Sequence, residues 1–290
     1  RDFNGKLVAE IATSDLRDFD AEGLKRAEFF TYTAADGKTQ LYGQLQFPSN
    51  FDPAKKYPAL VSVYGGPSSN GLNENFVNAN PLAEYGFLIV KLDARTNLGR
   101  GRKVLDTTYK QLGIAEIDDM AAGIRSLWSR PYFDRERVGM YGTSYGGTVS
   151  AAMVLRHPDA VQAASASSPV TDYRLYDTVY SERHLGLPQT DADAYDRAAL
   201  LPLAGQLRGD LMLYYGTSDD NVHPKNTLQL IQALQAAGKS FEVQVGPDKG
   251  HTGLDQRRMM EFFIERLILD RQTQPGRSPA AGFGPNADPG

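Results

Sequence analysis

Ser144 lies in Gly142-Thr143-Ser144-Tyr145-Gly146-Gly147, a G-x-S-x-G pattern between a strand-like run and a small, apolar helical run. A sharp strand-to-helix turn of this kind lifts a hydroxyl clear of the backbone. The residues two before and two after the serine must then be almost free of side chain, because strand and helix pack closely there. The serine is left at a helix N-terminus, where backbone N–H groups and the helix dipole favour a developing negative charge.

A serine hydroxyl is a poor nucleophile at neutral pH and needs a base within hydrogen-bond reach. The chain has 4 histidines. His157 ends the helical run after Ser144 and reads as a C-terminal cap. His184 falls in a loop stretch, and His223 follows the candidate acids too closely to be their ordered partner. His251, in Lys249-Gly250-His251-Thr252-Gly253, comes after the last strand-like run and before the last helical one, so it is the expected base. The acid should come from the loop after the preceding strand, Gly216-Thr217-Ser218-Asp219-Asp220. One aspartate would orient the imidazole and stabilise its charged form, while the other braces the turn. A tetrahedral intermediate also needs two donors for its oxyanion. The N–H of Tyr145 is one. The phenol of Tyr64 is the other, since Tyr64-Gly65-Gly66-Pro67 stands where esterases carry a His-Gly-Gly-Gly turn.

These residues need a frame to bring them together. Short β-rich runs at Leu41–Phe47, Ala59–Tyr64, Phe87–Leu92, Val138–Tyr141, Ala163–Ser167, Leu211–Tyr215 and Glu242–Val245 alternate with helical stretches. In the first run Leu41, Leu45 and Phe47 share a face. The helices are read at Ile117–Arg130, Tyr145–His157, Asn226–Ala237, stopped by Gly238, and Gly253–Leu269. This alternation predicts an α/β-hydrolase fold, a mostly parallel central sheet with helices on both faces. Residues 32–270 are assigned to that domain. Residues 1–31, with a strand-like piece at Lys6–Glu10, read as a lead-in, and the Pro- and Gly-rich residues 271–290 as a disordered tail.

Composition narrows the function. With 41% hydrophobic and 23% charged residues and a net charge of −4, the chain lacks the basic footprint of a nucleic-acid binder. No apolar stretch approaches the roughly 18 residues of a membrane span. The absence of cysteine excludes disulfides and thiol nucleophiles, and fits an exported or an internal protein equally. No His-x-x-x-His or carboxylate cluster at ligand spacing calls for a metal, and no cofactor is implied.

Val63-Tyr64-Gly65-Gly66-Pro67, Gly142 to Gly147, Tyr176-Asp177-Thr178-Val179-Tyr180-Ser181-Glu182-Arg183 and Gly216 to His223 together resemble the prolyl oligopeptidase family, most closely its dipeptidyl peptidase IV branch. The resemblance covers about Tyr42 to Leu269 and implies Ser144, Asp219 and His251 as a triad, with Tyr64 and Tyr145 forming the oxyanion hole. It implies further that Tyr176, Tyr180, Tyr145, Val170 and Val222 wall a small apolar pocket suited to a proline ring, and that Asn221 holds a substrate carbonyl. A serine peptidase acting on peptides after proline or alanine is therefore expected, dipeptidyl-peptidase-like and working through an acyl-enzyme. A carboxylesterase on the same fold and a silent binding or dimerisation module are the alternatives. Thr143 and Tyr173 stand where close relatives carry tryptophan, which alters the expected subsite shape. Family members carry a β-propeller before the hydrolase domain, and Arg1–Asp15 resembles its last strand, so the lead-in reads as a remnant of it. The resemblance also allows a homodimer.

Overall fold

In the middle strands apolar residues point to both faces, so each strand must be covered above and below. The computed structural model describes residues 1–67, 69, 71, 72 and 76–270. Its strands are β1 (Glu28–Thr33), β2 (Gln40–Gln46), β3 (Tyr57–Ser62), β4 (Leu88–Leu92), β5 (Phe133–Thr143), β6 (Ala163–Ser167), β7 (Asp210–Gly216) and β8 (Glu242–Gly246). Among the described residues they form an 8-stranded sheet in the order β1-β2-β4-β3-β5-β6-β7-β8. β1–β2 and β2–β4 pair antiparallel, and the strands from β4 to β8 pair parallel. The helices are α1 (Arg17–Ala21), α2 (Arg102–Asp106), α3 (Ala115–Ser126), α4 (Tyr145–Arg156), α5 (Thr178–Leu185), α6 (Ala192–Ala198), α7 (Lys225–Ala236) and α8 (Gln256–Ile264).

Alternate residues of each inner strand feed separate cores. Ala59 and Val61, Leu88 and Val90, Ala164 and Ala166, and Leu211 and Leu213 join one apolar cluster with residues of α3, α4 and α7. Their neighbours Leu60, Ile89, Ala163 and Met212 join the other, against Met259, Met260, Phe262 and Phe263 of α8. This is the α/β-hydrolase fold.

Each strand-like run expected between Leu41 and Val245 has a counterpart, with ends shifted by a few residues; β5 extends furthest beyond its expected core. Leu41 and Leu45 are fully buried, and Phe47 packs on their cluster just past β2. Two sequence expectations differ from the structure. Lys6–Glu10 is exposed and lies in no strand, whereas the sheet begins at Glu28, inside the residues read as lead-in. β1 is stabilised by its pairing: Phe30 sits opposite Gly43 of β2, and its ring fills the space where a Cβ on Gly43 would be. Lys6–Glu10 has no such neighbour, and an unpaired strand leaves its backbone donors to water. The last helix is shorter than expected as well, starting at Gln256 behind the Asp255 cap and passing into a π-helical turn at Glu265–Leu269. The expected tail, residues 271–290, lies outside the described residues.

Candidate active site

The site is set by three loops at the C-terminal ends of parallel strands, where α/β sheets gather their ligands. Ser144 follows β5 directly; Asp219 follows β7, and His251 follows β8. Tyr64 leaves β3, on the opposite side of β5 from the acid and the histidine.

Ser144 has φ 63° and ψ −123°, a conformation that crowds its own Cβ. Such a residue costs about 1–3 kcal/mol and persists only where its surroundings hold it. Its N–H donates to Ser167 O of β6 at 2.9 Å, and its carbonyl accepts from Thr148 N–H at 3.0 Å. Glycine packing tightens the frame. A Cβ on Gly142 would lie 2.4 Å from Val63 O, one on Gly146 2.3 Å from the same oxygen, and one on Gly147 2.2 Å from Ser167 O. Each clash is with backbone, so the small residues around the serine are a steric requirement.

His251 Nδ1 lies 2.9 Å from Asp219 Oδ2, and the Asp219 side chain has no exposed surface. The other oxygen, Oδ1, accepts from Asn221 N–H at 3.0 Å and Val222 N–H at 2.9 Å. Asp220 is exposed. The turn therefore buries the carboxylate of the first aspartate under its own backbone donors and leaves the second in water. The two loops are also joined to each other. Ser218 N–H donates to Lys249 O at 2.9 Å, and Asp248 N–H to Thr217 Oγ1 at 2.9 Å. Gly216 permits this, since a Cβ there would lie 2.3 Å from the carbonyl oxygens of Lys249 and Gly250.

Serine and histidine are fixed to adjacent residues. Ser167 O holds Ser144 N–H, and Ser168 Oγ donates to His251 O at 3.0 Å. Among the described residues no hydrogen bond joins Ser144 Oγ to the imidazole.

Beside the serine lies a layer of tyrosines. Tyr145 is buried; its ring centroid is 6.0 Å from that of Tyr64 and 6.5 Å from that of Tyr173. Tyr176 and Tyr180 meet edge to face at 5.5 Å. Val170 and Val222 are buried in the same cluster, with Tyr176 and Tyr180 packed against it. Tyr176 lies before α5 and Tyr180 within it, behind an Asp177 cap. The Tyr176 phenol donates to Asn221 Oδ1 at 2.9 Å. Burial pushes the Tyr145, Tyr173 and Tyr180 phenols well above their ordinary range, which keeps them neutral donors. Tyr64 is half-exposed.

The remaining histidines have other partners. His157 caps α4 and bonds Asp118 at 2.9 Å, and His223 Nδ1 accepts from Lys225 N–H at the start of α7 at 3.2 Å. His184 belongs to α5 rather than to a loop, and its ring packs tilted against that of Tyr180, with centroids 4.7 Å apart. Sequence reasoning passed over Glu116, whose buried carboxylate takes the Tyr145 phenol. A glutamate in a first helical turn reads as a surface partner of the dipole, and no local signal marks it as buried. Among the described residues, no group of three or more His, Cys, Asp or Glu side chains is placed to hold a metal, and no helix is long and apolar enough to cross a membrane.

A profile of the prolyl oligopeptidase family matches residues 74–268. Human dipeptidyl peptidase 8 is 35% identical over 234 residues, which are 78% of this chain and 26% of that protein. Mouse prolyl endopeptidase FAP is 33% identical over 222 residues, 74% of this chain and 29% of the relative. The crystal structure of Porphyromonas gingivalis dipeptidyl peptidase 4 superposes with a TM-score of 0.78 at 32% identity, covering 83% of this chain and 35% of that one. The chain thus spans between a quarter and somewhat over a third of the length of these relatives.

Proposed function

Because the chain belongs to the prolyl oligopeptidase family, we propose that it is a serine peptidase that cleaves peptides after proline or alanine through an acyl-enzyme. The observation that carries this reading is the pairing of His251 with the buried Asp219 carboxylate, the histidine loop being bonded to the same β6 end as the strained Ser144. Ser144 Oγ attacks the carbonyl carbon of the scissile bond, and its proton passes to His251 Nε2. Asp219 fixes the ring with Nδ1–H towards itself and stabilises the imidazolium. The carbonyl oxygen gains the electron pair and is held by Tyr145 N–H and the Tyr64 phenol. Collapse of this intermediate breaks the C–N bond, and His251 gives its proton to the departing amine. Water, deprotonated by the same imidazole, then releases the acyl group and restores Ser144.

Tyr145, Tyr176, Tyr180, Val170 and Val222 offer a small apolar enclosure with neutral phenols. A proline ring contributes shape and apolar area there and has no N–H left to satisfy. Asn221 has its Oδ1 occupied by the Tyr176 phenol, so its NH₂ is the group turned to a substrate carbonyl. The names of two of these relatives, dipeptidyl peptidase 8 and dipeptidyl peptidase 4, support release of dipeptides.

The test is hydrolysis of Gly-Pro and Ala-Pro chromogenic amides, with a fluorophosphonate to label the nucleophile. Turnover of the amides, lost in Ser144→Ala together with the adduct, is expected. Rapid turnover of short acyl esters with no action on proline amides would make the chain an esterase. A folded protein that takes no adduct at Ser144 would leave a binding module.

A further inference from the structure

Glu116 is the second residue of α3, and none of its surface is exposed. Its Oε1 accepts from Gly113 N–H at 2.6 Å and from the Tyr145 phenol, while Oε2 has no hydrogen-bond partner among the described residues. Tyr145 follows the nucleophile. Its backbone N–H faces the developing oxyanion, its ring is a wall of the proposed pocket, and a Cβ on Gly66 would touch its Cγ at 3.2 Å. A side chain with so many duties is held at its far end by one carboxylate.

We propose that Glu116 is a positioning residue of the reaction: by gripping the Tyr145 phenol it fixes the oxyanion donor and the pocket wall together, and its ionisation sets how firmly they are held. This rests on the serine-peptidase reading above. An ionised carboxylate accepts a shorter and stronger hydrogen bond than a neutral acid. Protonation falls on the unpartnered Oε2 and leaves Oε1 with two bonds of neutral strength. Burial raises the Glu116 carboxyl to about 7, with the Asp119 charge adding to the shift and the bonds from Tyr145 and Gly113 opposing it.

The other groups around it do not replace this grip. Asp119, on the same helix, is taken by Arg95 at 2.9 Å. Arg156 of α4 interacts electrostatically with Glu116, but its NH2 donates to Arg197 O at 2.6 Å. Tyr173 and Tyr180 are neutral through the whole working range, since burial raises both.

The test measures the rate at which a fluorophosphonate labels Ser144 at about pH 5.5 and about pH 8.5 in the wild type, Glu116→Gln, Tyr145→Phe and the double variant. Any limb common to two enzymes cancels in their ratio. The ratio of wild type to Glu116→Gln is expected near one in acid and about fivefold in base, and that pH dependence should vanish in the Tyr145→Phe background. Tyr145→Phe cuts the same bond from its other end, so the proposal stays testable even if Glu116→Gln folds poorly. A ratio equal at both pH values, or one that still changes with pH after the phenol is removed, overturns the proposal. A wild type that takes no label at Ser144 overturns the peptidase reading itself, and this proposal with it.

Discussion

Replacing Asp219 with asparagine tests the site at its most constrained atom. One carboxylate oxygen accepts two backbone N–H groups, at 3.0 and 2.9 Å, and the other faces His251 Nδ1 at 2.9 Å. Asparagine has one oxygen. If that oxygen stays with Asn221 and Val222 N–H, the amide NH₂ must face the ring, and Nδ1 has to accept rather than donate. The imidazole proton is then forced to Nε2, the nitrogen needed to take the proton of Ser144. The opposite orientation restores the working tautomer but turns NH₂ against two N–H donors, that of Val222 buried and that of Asn221 part-buried, at about 1–3 kcal/mol for each lost bond. A total near 4 kcal/mol leaves about one molecule in a thousand competent. Turnover of a proline amide should fall by about 10³ to 10⁴ while circular dichroism shows a folded protein, the scale seen when a triad loses its tautomer. The rate of fluorophosphonate labelling should fall in parallel. A variant that retains amide turnover to within about tenfold would refute the role given to this hydrogen-bond pattern.

Gly147→Ala should lower stability by about 1–3 kcal/mol in urea unfolding and also slow labelling of Ser144, because the carbonyl it strikes is the one that holds Ser144 N–H. Unchanged stability would show that the elbow has slack. Tyr64→Phe should cost about 3 kcal/mol of transition-state stabilisation with no shift of the unfolding midpoint, since the residue is half-exposed; equal kcat/KM would remove Tyr64 from the oxyanion hole. Glu116 also makes a prediction about stability. Its folded pKa of about 7 lies above the ordinary 4.5, so between these values the folded chain keeps a proton that the unfolded chain has released. The stability from this group is fully present below 4.5 and lost as pH rises through 7, about 3 kcal/mol in all. Urea unfolding should therefore show the wild type losing ground to Glu116→Gln between acid and mildly basic pH, and a difference constant with pH would contradict it.

How much of this was legible beforehand follows from the range of the forces involved. The elbow is a local steric demand: three glycines within six residues are needed because strand and helix meet there, so the pattern can be read directly. The strands were legible because a short β-rich run bounded by turn residues is itself a local signal, and the order of serine, acid and histidine follows the order of strands. β1 was missed because its apolar face is completed by Gly43, on another strand. The residues alone left Asp219 and Asp220 open, and only the resemblance favoured the first, since neighbouring aspartates in one turn differ in burial and not in type.

The amino-acid order by itself determined the turn that presents the serine, the succession of strands and the histidine that could serve it. The tertiary structure decided which carboxylates lose their water: Asp219 under Asn221, Val222 and His251, and Glu116 against a phenol from a different helix. The reason is physical. Burial and the partner of a charge depend on which distant segments the sheet brings together, and no short stretch of sequence contains that.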